Sequence, residues 1–196
     1  MRRYSNNLAF VDMFMNMLVG VTALCLLAFI LINPIAKTGI VTPPDKLIIE
    51  LTWDDNSEKD MDLYTRGPVG NTVYYGNKNN GYVTLRKDDL GNSTETYHVN
   101  GVPVIVRRNY EVITLNDLPA GDYMVNVHNF ASAKGAEEVT VRVTGLTPFK
   151  LVFEGTAMLD ARQETTLVVF SVDSEGKIYN VRTDIQGKLR KRGSAP

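Results

Sequence analysis

The residue with the clearest chemical potential is an acid inside a long apolar stretch near the N-terminus. Asp12 is the only formally charged residue from Leu8 to Ile32, and Asn16 follows it one helical turn later. An ionisable side chain inside a membrane span is unfavourable, and it usually marks a proton path, an ion path or a partner helix. A carboxylate can pass an apolar surface when neutral and seeks a polar partner when ionised. Asp12 is therefore the candidate for a proton path, an ion path or a contact with a partner helix.

A position at the membrane surface is the alternative for Asp12. The residue lies near the start of the apolar stretch, so a span that began at Met13 would leave its carboxylate at the cytoplasmic headgroup level. Such a span would still be long enough to cross the hydrocarbon core. Length alone does not decide between the two positions.

A second group of acids follows the apolar stretch and could bind a metal ion. Asp60 and Asp62 lie on the same side of a predicted strand, and Asp88 could join them from another strand. A ligand set made only of oxygen atoms favours calcium. Acids at strand edges are also common as solvated or turn-capping residues, which is the alternative for this group and for Asp54 and Asp55. The sequence leaves both interpretations open.

No catalytic motif accompanies these acids. His98 and His128 stand outside any recognisable motif, and the sequence contains neither G-x-S-x-G nor a P-loop. We expect His128 to be a packed or half-exposed strand residue, and we expect that the protein is not an enzyme. Several tyrosines could form a platform for a sugar polymer, but packing within a sheet is the favoured interpretation for them. They are Tyr64, Tyr74, Tyr75, Tyr82 and Tyr97.

The apolar stretch predicts a transmembrane helix over residues 8–32. About 20 residues cross the hydrocarbon core of a bilayer, and this stretch is longer. Arg2 and Arg3 precede it, which places the N-terminus in the cytoplasm by the positive-inside rule. A cleaved signal peptide is the alternative, but its apolar core would be shorter and would end at a small-residue cleavage site. At helical spacing, one face of the helix carries Asp12, Asn16, Val19 and Ala23, with Gly20 beside them, and this face suits a neighbouring helix.

The beginning of the chain resembles the MotB/ExbD/TolR group, the single-span subunits of ion-driven membrane motors. The resemblance covers residues 1–36 and rests on a short basic N-terminus, Phe10-Val11-Asp12-Met13 opening one long apolar helix, and an outer domain after it. It implies that Asp12 carries H⁺ or Na⁺, and that the chain lies in the bacterial inner membrane with its C-terminal domain periplasmic or otherwise extracytoplasmic. It also implies a MotA/ExbB-like polytopic partner, as a pentamer around a dimer of this chain.

An inert membrane anchor is the alternative to the motor interpretation. The outer domain would then be a binding module for a cell-envelope glycan or protein. An inert anchor has no need of an acid at this depth, where leucine would be more favourable. Asp12 therefore separates the two hypotheses.

The rest of the chain predicts an all-β antiparallel sandwich. Alternating apolar and β-branched residues are broken by Gly, Asn or Pro every few residues, as in LIIELTW, MDLYTRG and NTVYYGN. Trp53 is expected to anchor the core. The predicted organisation is a cytoplasmic N-terminus at 1–7, the helix at 8–32, a proline-containing linker at 33–46, the sandwich at 47–185 and a basic, flexible tail at 186–196.

The outer domain resembles the YfaP-type β-sandwich of bacterial extracytoplasmic proteins over about residues 47–145. The motifs that carry the resemblance are Leu51-Thr52-Trp53, Asp60-Met61-Asp62-Leu63-Tyr64, Tyr74-Tyr75-Gly76-Asn77, Asp88-Asp89 and Leu118-Pro119-Ala120-Gly121-Asp122-Tyr123. It implies a binding or structural module rather than a particular chemistry.

Composition excludes several other classes of protein. The 196 residues include 21 Lys and Arg against 22 Asp and Glu, so the balance of charge does not favour nucleic-acid binding. A single cysteine, Cys25, rules out a disulfide within the chain. Two histidines and one cysteine are too few for an ordinary structural zinc site.

Overall fold

The computed structural model describes residues 7–32, 44–91, 96–130 and 135–190. The chain divides into two compact units between Thr42 and Pro43. Three predicted segments lie wholly or partly outside the described residues: the N-terminus before Asn7, the linker at 33–43 and the end of the chain at 191–196.

The first unit contains one helix, α1, from Asn7 to Ile32. Its stretch Leu8–Leu31 is long and apolar enough to cross a membrane. Leu, Met, Ala and Phe dominate α1, and no proline interrupts it, so its backbone hydrogen bonds continue without a break. A helix satisfies its own backbone polar groups, which a lipid environment requires. The fold class predicted from the sequence, one apolar helix followed by antiparallel sheets, is confirmed.

The second unit is a sandwich of two antiparallel sheets with an additional hairpin. One sheet has five strands in the order β3-β6-β1-β8-β9, the other has four in the order β11-β10-β7-β2, and β4 and β5 form the hairpin. The strands are β1 Leu47–Trp53, β2 Met61–Arg66, β3 Val83–Lys87, β4 Thr96–Val99, β5 Val102–Ile105, β6 Tyr110–Leu115, β7 Gly121–Asn129, β8 Glu137–Leu146, β9 Phe149–Leu159, β10 Glu164–Val172 and β11 Ile178–Arg182.

The core lies between the two larger sheets. In β1, alternate residues from Leu47 to Trp53 are buried, because successive side chains of a strand point to opposite faces. Ile49 pairs with Ile113 of β6 on one side and with Val143 of β8 on the other. From the four-stranded sheet, the rings of Tyr123 and Phe170 stack with centroids 5.1 Å apart. Trp53 belongs to this core, as the sequence predicted.

One predicted strand is wrong, and one observed strand was not predicted. In the stretch NTVYYGN, Val73 exchanges two hydrogen bonds with Thr65 of β2, but Tyr74 and Asn77 then bond to each other across a tight turn. The segment folds back on itself because Gly76 lies within that turn and breaks the alternating pattern. The strand that the sequence did not reveal is β4, whose four residues are all exposed.

Candidate functional site

In α1, the predicted ion carrier lies on an exposed polar stripe. Asp12, Asn16 and Ala23 fall within about 40° of one another around the helix axis. Asp12 lies about 6 Å along the axis from Leu8, close to the start of the apolar stretch. The rings of Phe10 and Phe14 stack 6.4 Å apart on the opposite side of the helix. The structure thus places the acid and its aromatic neighbours on different faces of α1.

Gly20 lies beside this stripe and has room around it. A Cβ atom added at Gly20 would meet nothing within 4 Å among the described residues. Glycine in a helix interior is less favourable than alanine by about 0.5–1 kcal/mol, so position 20 lowers the intrinsic stability of α1. The neighbouring Thr22 bonds within its own helix, donating from Oγ1 to the carbonyl of Leu18 at 2.8 Å. No contact among the described residues of the chain itself requires glycine at position 20.

In the sandwich, three acids that lie on or directly after different strands converge. Asp62 lies on β2, Asp88 directly follows β3 and Glu111 lies on β6. Each offers a carboxylate oxygen, and these oxygens all lie within 4.8 Å of one another. Asp62 and Glu111 are buried, at 3% and 1% exposure, and Asp88 is half-buried. Because β2 belongs to the four-stranded sheet and β6 to the five-stranded one, this carboxylate cluster joins the two sheets.

Glu111 is held by the backbone on both of its oxygens. Oε2 accepts a hydrogen bond from the amide of Leu63 at 2.7 Å, and Oε1 accepts one from the amide of Asp89 at 3.3 Å. Burial nevertheless raises the pKa of Glu111 well above its usual value, although these two amides act against the shift. Burial also raises the pKa of Asp62, with His128 acting against it.

Asp60 lies just before β2 and borders the carboxylate cluster. Burial, followed by the charges of Asp62, Asp88 and Asp89, raises the pKa of Asp60 to about 7. Its Oδ1 is buried and has no hydrogen-bond partner among the described residues, and the same is true of Oδ1 of Asp88. The other oxygen of Asp88 accepts a hydrogen bond from Nζ of Lys78 at 2.8 Å. Two buried carboxylate oxygens at this place thus lack a protein donor.

The segment after β3 packs closely against the chain that leads into β2. Gly91 in this segment has φ +68°, a conformation that favours glycine, and a Cβ there would lie 2.9 Å from the carbonyl oxygen of Glu58. Glycine at this position therefore permits the close approach. Asp88, which directly follows β3, lies near enough to Asp60 for its charge to raise the pKa of Asp60.

A buried histidine orients Asp62. His128 lies on β7 opposite Asp62 in the strand register and is fully buried. Its Nδ1 is 3.2 Å from Oδ2 of Asp62, and its Nε2 is 3.0 Å from Nη1 of Arg190. A guanidinium group has only donors, so Nε2 of His128 accepts and Nδ1 carries the proton that it donates to Asp62. The predicted packed role of His128 is correct, and the structure adds an ordered Asp62–His128–Arg190 chain.

Arg190 is positioned by a segment that the sequence assigned to a flexible tail beginning at 186. Residues 186–190 lie against the four-stranded sheet, where Oε1 of Glu164 accepts a hydrogen bond from the amide of Leu189 at 2.7 Å. The carbonyl of Gly187 accepts one from Nδ2 of Asn126 at 2.7 Å. The segment from Gln186 to Arg190 is thus a specific part of the outer domain.

The structure brings together three of the acids that the sequence singled out and separates two others. Asp60, Asp62 and Asp88 converge. In contrast, Oδ1 of Asp54 accepts from the amide of Asn56 at 2.9 Å within a local turn, and Oδ1 of Asp55 accepts from the distant amide of Asn109 at 3.0 Å. The turn-capping alternative holds for Asp54, whereas Asp55 ties its loop to the residue before β6.

Sequence reasoning missed Glu111, Arg190 and the contacts that join Arg190 to Asp62 through His128. A signal for Glu111 was present, because Glu111, Ile113 and Leu115 alternate on one side of β6 and the last two are core residues. An acid on the core-facing side of a strand needs partners. Arg190 gave no such signal, since its partner His128 is distant in sequence.

A polar cleft of about 400 Å³ adjoins the Asp62–His128–Arg190 chain. The cleft is lined by Tyr64, Arg66, Gly70, Asn71, Thr72, Tyr74, Asn77, Leu189 and Arg190.

The tyrosines do not form a single platform. Tyr64 is buried and stacks on Tyr74 with centroids 5.1 Å apart, whereas Tyr97 is exposed on the separate hairpin.

Comparison with known proteins found no matching family, no matching curated protein and no matching solved structure.

Proposed function

We propose that this chain is the single-span subunit of an ion-driven membrane motor, with Asp12 as the residue that carries H⁺ or Na⁺. The observation that carries the proposal is an uninterrupted 26-residue apolar helix in which Asp12 is the only formal charge. The likeness of residues 1–36 to the MotB/ExbD/TolR group agrees with it. The membrane in question is the bacterial inner membrane, with the outer domain periplasmic or extracytoplasmic.

The exposed stripe on α1 supports a partner rather than a solitary anchor. Asp12 and Asn16 are polar groups that hydrocarbon does not solvate, so they need partners on other helices. Gly20 and Ala23 leave space on the adjoining surface for close approach of a helix backbone. One span cannot enclose an ion path. The proposed partners are therefore a second copy of this chain and a polytopic, MotA/ExbB-like ring of five subunits around the two.

In this mechanism, charge on Asp12 controls which helix surface it can face. Ionised Asp12 stays beside a polar group of the ring, and neutral Asp12 moves past an apolar surface. Alternate binding and release of the ion would bias rotation of the ring. The membrane potential supplies about 2.3 kcal/mol per charge for each 100 mV. The outer domain would hold the subunit to an envelope target while the ring moves.

Purification of the full chain tests the architecture. A tag after Pro196 allows isolation from the native host in mild detergent, followed by mass analysis of the intact complex. We expect the uncleaved chain in two copies, together with several copies of a polytopic protein. Recovery of a chain that lacks residues 1–32 would identify a signal peptide and refute the proposal.

Reconstitution of that complex in liposomes tests the role of Asp12. Asp12→Asn should leave the complex assembled but abolish proton or sodium uptake, because an amide cannot bind and release the ion. Asp117→Asn is a matched control, since Asp117 is an exposed acid of the outer domain, in an ion pair with Lys46. Full uptake by the Asp12→Asn complex would refute the mechanism.

A second candidate function is a membrane-anchored binding module with an inert helix. The polar cleft beside Arg190 favours it, because arginine, asparagine and tyrosine side chains together suit a glycan or an acidic peptide. Recovery of the intact chain without any polytopic partner, in several detergents, would support this module over the motor.

A further inference from the structure

We propose that the carboxylate cluster of the outer domain, Asp62, Asp88 and Glu111 with Asp60 beside them, is a Ca²⁺ site. The proposal does not depend on the motor function, since it concerns only the sandwich. Glu111, from the five-stranded sheet, is one of the proposed ligands, and His128 orients another ligand, Asp62.

The spacing of the oxygens fits one calcium coordination shell. Ca²⁺ binds oxygen at 2.3–2.6 Å, so two ligands on opposite sides of the ion are about 4.6–5.2 Å apart. The oxygens of Asp62, Asp88 and Glu111 all lie within 4.8 Å of one another. Mg²⁺ demands near-ideal octahedral geometry and dehydrates reluctantly, so a site built mainly of protein carboxylates suits Ca²⁺ better. Hard carboxylate oxygens with no sulfur ligand also favour Ca²⁺ over zinc.

Unpartnered buried oxygens give an independent reason for a ligand here. Oδ1 of Asp60 and Oδ1 of Asp88 are both buried and lack a hydrogen-bond partner among the described residues. Most buried polar atoms in proteins have a hydrogen-bond partner, and a buried acceptor without a donor destabilises the fold. A cation bound at the cluster would supply the partner that Oδ1 of Asp88 lacks, and its charge would also act on Asp60 beside the cluster. Glu111 can contribute as well, because each of its oxygens accepts one backbone hydrogen bond and keeps a second lone pair.

The charge around the cluster also calls for a cation. Lys78 pairs with Asp88 at 2.8 Å and Lys87 pairs with Asp89 at 2.6 Å. His128 supplies no positive charge when its Nε2 accepts from Arg190. These two ammonium groups and the guanidinium of Arg190, whose charge acts on Asp62, therefore face five carboxyl groups, which are those of Asp60, Asp62, Asp88, Asp89 and Glu111.

The hydrogen bonds from Arg190 to His128 and from His128 to Asp62 orient the carboxylate of Asp62 for binding the ion. Nδ1 of His128 donates to Oδ2 of Asp62, which fixes the carboxylate plane and leaves the other oxygen for the metal. Hydrogen-bonded groups of this kind around a metal site orient its ligands and affect affinity tenfold or more. Because Arg190 belongs to the segment at 186–190, calcium binding and docking of that segment should support each other.

Calcium titration of the full chain in detergent, after treatment with a chelator, tests the proposal. Heat of binding measures affinity, and thermal unfolding can be followed by the fluorescence of Trp53, the sole tryptophan, which lies in the core of the outer domain. At about 1 mM CaCl₂, in the affinity range of extracellular calcium modules, we expect a measurable heat and a rise in Tm of about 5 °C. Neither a heat nor a Tm shift at several times that concentration would overturn the proposal.

Variants distinguish this site from unspecific binding. Asp88→Asn should weaken Ca²⁺ at least tenfold without unfolding the domain, because Asp88 is half-buried and follows its strand. Asp117→Asn, an exposed acid elsewhere in the sandwich, should bind Ca²⁺ as the native chain does. Equal affinity of Asp88→Asn and the native chain would overturn the assignment. MgCl₂ should bind at least tenfold more weakly than CaCl₂, and equal binding of the two ions would refute calcium as the occupant.

Discussion

Glu111 reaches from β6 to the opposite sheet, where its Oε2 accepts a hydrogen bond from the backbone amide of Leu63 at 2.7 Å. Leu63 lies on β2, an edge strand of the four-stranded sheet, so this amide has no partner strand of its own sheet on that side. A buried carboxylate thus substitutes for a neighbouring strand. The same side chain contributes to the carboxylate cluster, so Glu111 takes part both in joining the sheets and in the proposed Ca²⁺ site.

Two replacements of Glu111 should distinguish the effect of its hydrogen bonds on stability from the effect of its charge. In chelator, Glu111→Leu should be less stable than Glu111→Gln by about 1–3 kcal/mol, because leucine leaves the amides of Leu63 and Asp89 without an acceptor. Glutamine keeps one acceptor oxygen and removes the buried charge. Urea unfolding followed by the fluorescence of Trp53 measures the difference.

The same pair of substitutions at Glu154 is the control. Glu154 is exposed on β9 and pairs with Arg142, so its two variants should differ by less than about 0.5 kcal/mol. An equal difference at the two positions would show that the bonds of Glu111 do not matter to folding.

Removal of bound cations should make the stability of the outer domain fall as pH rises from about 4 to 7. Burial and the charges of Asp62, Asp88 and Asp89 raise the pKa of Asp60 to about 7, above its value in the unfolded chain. Between the two values the folded state holds more protons than the unfolded state, so rising pH favours unfolding. Unfolding of the full chain in urea with a chelator, at a series of pH values, measures this slope.

Asp60→Asn supplies the comparison for that slope. Asparagine does not titrate, so the loss of stability between pH 4 and 7 should be smaller in the variant. Added calcium should reduce the slope of the native chain, because a cation stabilises the ionised carboxylates. Identical slopes for the native chain and the variant in chelator would contradict the role assigned to Asp60.

Features formed by residues close together in sequence could be predicted, and features formed by residues distant in sequence could not. The strand β1 was predicted over its observed range, 47–53, because its alternation of apolar residues is a local pattern. Asp60 and Asp62 were found as candidates because they are close together in sequence. Glu111 joins them only through the pairing of sheets, and the contact of His128 with Arg190 spans 62 residues. No local pattern carries that information.

Loss of the Arg190 side chain should change the environment of one ring nitrogen of His128. In Arg190→Met, Nε2 loses the donor that it accepts from, while Asp62 still accepts from Nδ1, so the nitrogen chemical shift of Nε2 should move and that of Nδ1 should change little. Nitrogen NMR of the ring measures both shifts. His98, which is exposed on β4, provides an internal reference in the same spectrum.

Lys188→Met is the matched control for Arg190→Met. It removes a cation from the same segment, but Lys188 is exposed and should leave the His128 signals unchanged. Arg190→Met should also weaken calcium binding if Asp62 depends on His128 for its orientation. An Nε2 chemical shift in Arg190→Met identical to that of the native chain would refute the contact between His128 and Arg190.

Bulk at Gly20 should prevent assembly of α1 with its partners. Gly20→Leu fills the space beside Asp12 that a neighbouring helix would occupy, while the chain itself has room for the new side chain. The complex isolated through a C-terminal tag should then lose the polytopic protein or fall from two copies of this chain to one. Val21→Leu enlarges a residue on the face opposite Asp12 and should leave the complex intact. If Gly20→Leu also yields the complete complex, the face that carries Asp12 is not the contact surface, and the ion-carrying role of Asp12 loses its structural basis.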